Sequence, residues 1–129
     1  MGYHGFRDLI VYQKAFQLSV DIFNITKSFP KTEVYSLTSQ IRRSSRSIAA
    51  NIAEGWPKRR YPKLFINRLI CAAGEAAETE YWLDMANTIQ YLQSDSHELL
   101  GSQCREISKM LLFRFKGNRK KRSNKISYS

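Results

Sequence analysis

The stretch from Ser36 to Gly55 constrains this chain more than any other, because it contains no Pro and a single Gly, placed last. Nothing in it interrupts a helix until that Gly, where a left-handed residue would satisfy the final carbonyls. Val34, Leu37, Ile41, Ser45, Ile48 and Ile52 follow one another at spacings of three or four and make one core-facing side. Gln40, Arg43, Ser47, Asn51 and Glu54 repeat that spacing next to it, so a polar seam runs beside the core seam. Asn51 and Glu54 are expected to tie the end of this helix to a neighbour, with Gly55 closing it. Arg42, Arg46, Ala49 and Ala53 form a third line. One helix therefore carries a core face, a hydrogen-bonding seam and a basic flank, and no catalytic constellation.

The rest of the chain repeats the helical pattern. From Asp8 to about Lys27, Leu9, Tyr12, Phe16, Val20 and Phe23 form one stripe, and Val11, Ala15, Leu18, Ile22 and Ile25 a second. From Lys63 to about Gln93, Phe65, Leu69, Ala72, Ala76, Thr79, Leu83 and Ala86 alternate steps of four and three, with Ile66, Ile70, Ala73, Ala77 and Tyr81 alongside. From about His97 to Phe115, Leu100, Cys104, Ile107 and Leu111 line the inner face. Phe29-Pro30-Lys31-Thr32, Trp56 to Pro62 and Ser94-Asp95-Ser96 are the breaks between them. There is no strand signal and no repeat. The fold class predicted is all-α, an antiparallel up-down-up-down four-helix bundle over residues 1–115 with a disordered basic tail over 116–129. Two apolar stripes on the first and third helices exceed what a four-helix core covers, so self-association is expected.

Charge narrows the function. The chain carries +10 at pH 7, and seven cations, Arg42, Arg43, Arg46, Lys58, Arg59, Arg60 and Lys63, fall in one stretch against one acid, Glu54. The segment after Lys116 has no acid, while most of the acids fall between Glu75 and Glu106. Such polarity favours a polyanion, nucleic acid before membrane. Arg42 and Arg46, one turn apart, can reach one phosphate track, and Trp56 and Tyr61 among the cations could stack on unpaired bases.

Catalysis finds no support. His4 and His97 lack ligand-spaced partners, so no metal is expected. Glu75, Glu78 and Glu80 lack the Glu-x-x-His pairs of a di-iron bundle and read as a solvated acidic face with at most one acid paired to an Arg. Ser44, Ser45 and Ser47 lack a base and fit a close helix contact. Cys71 and Cys104 have neither metal spacing nor disulfide density and are expected to be free thiols. With no apolar leader and no long apolar run, the expected location is cytoplasmic.

Several motifs together bring a family into view: Phe6-Arg-Asp-Leu-Ile-Val-Tyr-Gln-Lys-Ala15, Phe29-Pro30, Leu37-Thr-Ser-Gln-Ile-Arg-Arg43 and Ser47-Ile-Ala-Ala-Asn-Ile-Ala-Glu-Gly55. With Ala73-Gly74, Glu78 and Leu83, they resemble the four-helix-bundle proteins encoded within intervening sequences of large-subunit ribosomal RNA genes. The resemblance spans roughly Phe6 to Phe115. It implies a bacterial bundle, a ring-like homo-oligomer of five copies, and no enzymatic activity or cofactor. It also implies similarity to the accessory proteins of diversity-generating retroelements, hence RNA or DNA and a reverse transcriptase or other protein as partners.

Overall fold

The computed structural model describes the backbone of residues 5–127 and the side chains of residues 5–114. Four α-helices follow in order: α1, Ile10–Ile25; α2, Leu37–Gly55; α3, Pro62–Thr88; and α4, Ser94–Ser127. Short 3-10 turns precede α1 (Gly5–Asp8), link α1 to α2 (Thr26–Ser28 and Lys31–Glu33) and follow α2 (Trp56–Lys58). Each helix packs on its sequence neighbours and α1 also packs on α4, which closes an up-down-up-down ring. The expected disordered tail lies outside the residues whose side chains are described, although the α4 backbone is helical through Ser127.

Hydrophobic patterning decides which faces turn inward. Val11, Ala15, Leu18 and Ile22 of α1 are buried, whereas Phe16, Val20 and Phe23 are exposed. On α3 the whole first stripe from Phe65 to Ala86 is buried; of the second, Ile66 is buried, while Ile70 and Tyr81 are more than half exposed. A helix in a ring of four faces two neighbours, and one stripe of about 100° fills that arc. Leu100, Cys104, Ile107 and Leu111 of α4 meet these stripes as expected. On α2 the buried set runs from Leu37 to Gly55 and includes Ser44 and Ser45. Val34, expected in that face, instead follows the Lys31–Glu33 turn and stays 44% exposed.

Two buried hydroxyls register α2 on α3: Thr79 Oγ1 donates to Ser44 Oγ at 2.9 Å. Their small size lets the helices approach closely, and the bond satisfies both groups away from water. Most helix ends depart from the sequence expectation by a few residues, whereas the α4 backbone runs past the expected end at Phe115 to Ser127. Helix α3 stops at Thr88 because Gln90 turns to φ 68°, with Gln90 N–H bonded to Asn87 O and Tyr91 N–H to Ala86 O. That is a Schellman closure with Gln in the place of Gly.

Candidate nucleic-acid interface

The seven cations of the middle stretch do not form one surface, because helical geometry sends them to different neighbours. Arg42 points toward α1: its Nε donates to Thr26 Oγ1 at 2.8 Å and Nη2 to the Phe23 carbonyl at 3.4 Å. The Arg42 guanidinium lies 4.7 Å from the Phe23 ring centroid, and that of Arg46 5.8 Å from it. Arg42 thus supplies the C-terminus of α1 with a cation and a donor, a cap delivered from another helix. Arg43, one residue on, turns toward α3. It pairs with Glu75 at 3.0 Å and with Glu78, and Glu78 also accepts from Trp82 Nε1 at 3.0 Å. The Trp82 bond, then Arg43, hold the Glu78 carboxyl below the usual carboxylate range, and Glu78 raises Arg43 in turn. Beyond them an open depression of about 460 Å³ runs along α2 past Val34, Ser39, Arg46 and Ala50.

The polar seam meets α3 at its lower end. Arg68 Nη1 donates to Asn51 Oδ1 at 3.1 Å and approaches Glu54 Oε2 at 3.5 Å, while Glu54 Oε1 pairs with Lys58 at 3.3 Å. Lys58 first, then Arg68, holds the Glu54 carboxyl low. Gly55 does not adopt the left-handed conformation expected of it. Its φ is −74° and ψ −35°, and the chain turns straight into the Trp56–Lys58 segment. A Cβ at Gly55 would lie 2.8 Å from Arg68 Cβ, so what the position requires is the close passage of α3.

Past Gly55 the remaining cations gather at one end of the bundle. The Gly5–Asp8 turn packs against Trp56–Lys58 there. Arg59 stacks 4.6 Å from the Trp56 ring centroid and donates to the Trp56 carbonyl at 3.0 Å. Arg114 of α4 reaches the same ring at 5.9 Å, and Phe65 meets it edge-on. Arg7 lies 4.6 Å from the Phe6 ring centroid. Arg60 and Lys63 are exposed and have no ion pair among the described residues. The opposite end is built from Glu33, bonded to Tyr91 at 2.8 Å, and Asp84, 2.7 Å from His97.

The family described as 23S rRNA-intervening sequence protein matches residues 7–112. This chain belongs to that family. A crystal structure from Bacteroides thetaiotaomicron VPI-5482, of a protein with unknown function from the S23 ribosomal protein family, is 33% identical and superposes with a TM-score of 0.76. The match covers 83% of this chain and 96% of that one. No curated protein matches the sequence.

Within this family member, the structure brings Lys58, Arg59, Arg60 and Lys63 together, adds Arg7 and Arg114 to them, and separates all of these from Arg43. Sequence reasoning missed Arg68, the residue that joins Asn51 and Glu54 to α3; its position at the i, i+3 spacing before Cys71 gave no charge cluster to notice. It also missed Arg7 and Arg114, which lie far from the cluster in sequence. The acidic face expected to hold at most one acid paired to an Arg has all three paired: Glu75 and Glu78 to Arg43, and Glu80 to Arg105 at 3.3 Å. Cys71 is half-buried and Cys104 buried, both free, and burial pushes the Cys104 thiol up to about 12. Among the described residues no group of three or more His, Cys, Asp or Glu side chains could hold a metal ion, and no helix is long and apolar enough to cross a membrane.

Proposed function

We propose that this protein is a non-enzymatic, homo-oligomeric bundle that binds RNA or DNA through backbone phosphates, as a scaffold or chaperone for the nucleic acid. One observation carries the reading: Arg59, Arg60, Lys63, Arg7 and Arg114 converge on one end of the bundle, from three separate segments of the chain. Salt bridges occupy Arg43, Arg68 and Arg105 elsewhere, whereas Arg60 and Lys63 are exposed and unpaired among the described residues. The C-terminal part of the chain adds Lys116, Arg119, Lys120, Lys121, Arg122 and Lys125, a further run of cations. Fixed cations attract a phosphate chain by releasing its counterions, which makes binding steeply salt-dependent.

Anisotropy titrations with labelled RNA and DNA, at about 50 and 200 mM salt, test it. Affinity is expected to fall with a log–log slope of about −0.7 to −0.9 per phosphate neutralised, and Arg60→Ala with Lys63→Ala to reduce that slope by more than one. An absence of binding at the lower salt overturns the reading.

A second reading, a ring that recruits a protein and binds no nucleic acid, draws on a different observation. Phe16, Val20 and Phe23 on α1 and Ile70 and Tyr81 on α3 are exposed apolar groups at helical spacing. Both readings require self-association, and a stable species of 15.0 kDa by light scattering at micromolar concentration would overturn it in either.

A further inference from the structure

The two aromatic residues of the basic end differ in what they have left to offer. Trp56 is half-buried, with Arg59 over its ring and the edge of Phe65 against it, so its faces are taken. Tyr61 is 63% exposed, and its ring makes no aromatic or cation contact among the described residues. Its backbone is fixed all the same. The Tyr61 N–H bonds to Lys58 O at 2.8 Å, and its carbonyl accepts from Phe65 N–H at 3.0 Å as the first bond of α3. Leu64, three residues on in the first turn of α3, is 52% exposed. Arg60 and Lys63 flank the pair.

We infer that this surface selects single-stranded nucleic acid, an unpaired base stacking on Tyr61 against Leu64 while Arg60 and Lys63 hold the adjoining phosphates. The inference rests on the phosphate-binding reading above and names its substrate class. Complementarity favours a single strand over a duplex. A duplex presents phosphates but hides its base faces, so it could use the cations and would leave Tyr61 and Leu64 in water. A single strand presents both, phosphates and unpaired base faces. Tyr61 and Leu64 offer the apolar half, and Arg60 and Lys63 the cationic half, of a surface suited to one nucleotide.

The test compares three labelled probes of equal length by anisotropy: an unstructured pyrimidine strand, a duplex, and a strand of abasic sites. The unaltered protein is expected to bind the pyrimidine strand about tenfold more tightly than the abasic one, a typical contribution of one stacked base. Tyr61→Ala should remove that tenfold difference, leave duplex and abasic binding as they were, and retain the circular dichroism of the folded bundle. Tyr61→Phe should bind like the unaltered protein. Equal affinity of the unaltered protein for the pyrimidine and abasic strands overturns the inference whatever the variant does, while salt-dependent binding of all three would leave the phosphate reading standing. If none of the probes binds at low salt, both fall and the patch belongs to a protein partner.

Discussion

Gly55 and Gln90 each sit where a helix ends, and each holds the residue the other position would favour. Gly55 is in the ordinary right-handed helical region, where Ala is intrinsically better by about 1 kcal/mol. A methyl group there would press on Arg68 Cβ at 2.8 Å, an atom next to the α3 backbone that cannot swing aside. Gly55→Ala is therefore expected to lower stability by about 1–3 kcal/mol, the usual range for overpacking, read as a fall in melting temperature. A variant melting at or above the parent would show that α3 can move away freely. Gln90 is the reverse case, a side-chain residue at φ 68° closing α3. Gln90→Gly should raise stability by a few tenths to about 1 kcal/mol, because Gly enters the left-handed region without a Cβ penalty. A lower melting temperature for this variant would mean that the Gln side chain contributes a contact worth more than that penalty.

Among the elements, α2 divides its arginines between its neighbours, and the division assigns them different work. Arg42→Ala removes the donor that reaches Thr26 and the Phe23 carbonyl, so the end of α1 should loosen and the melting temperature drop. Arg46→Ala loses a longer ring contact alone and should melt within about 0.5 kcal/mol of the parent, as surface changes usually do. Equal melting of the two would show the cross-helix cap to be idle. On the other side of α2, the Arg43–Glu78 pair is half-exposed, so its coupling energy in a double-mutant cycle is expected below about 1 kcal/mol. Its pH signature is more telling. Glu78, Glu54 and Glu33 all lie below the ordinary 4.5 in the folded protein. On acidification the unfolded chain takes up protons first, so stability is full above about pH 4.5 and is lost as pH falls through the lower folded values. Glu78→Gln should flatten this acid limb by lowering stability at neutral pH toward its acid value, with variant and parent alike once Glu78 is protonated. Parallel acid limbs for variant and parent would place the loss on other carboxylates.

At the scale of the whole bundle, the described cations gather most densely at one end, with Lys58, Arg59, Arg60, Lys63, Arg7 and Arg114, whereas the other end mixes Lys27 and Lys31 with the Glu33–Tyr91 and Asp84–His97 pairs. Such a field orients a polyanion toward one end before contact. Deleting residues 116–129 removes six cations, and is expected to reduce affinity and the salt slope while leaving a discrete complex in a gel shift. Loss of all binding on that deletion, with Arg60→Ala and Lys63→Ala binding normally, would move the site from the bundle end to the chain terminus.

The sequence by itself determined the helices and the stripe each buries, because a 3.6-residue period together with Pro and Gly at the breaks leaves few alternatives. The inner faces of α3 and α4 were legible residue by residue for this reason, and so was the seam of Asn51 and Glu54. Only the tertiary structure decided which of two apolar stripes on α1 faced inward, since both have the same period and the choice depends on where α2 and α4 lie. It likewise decided that Arg42 and Arg43, adjacent in the chain, belong to different neighbours about 100° apart around the helix. The role of Gly55 followed the same rule: a glycine at a helix end signals a left-handed cap when only the chain is considered, and a near approach when the facing helix is present. The gathering of Arg7 and Arg114 beside Lys58 to Lys63 was invisible for the simplest physical reason. Charges that meet by folding are separated in sequence by the length of the helices that bring them together.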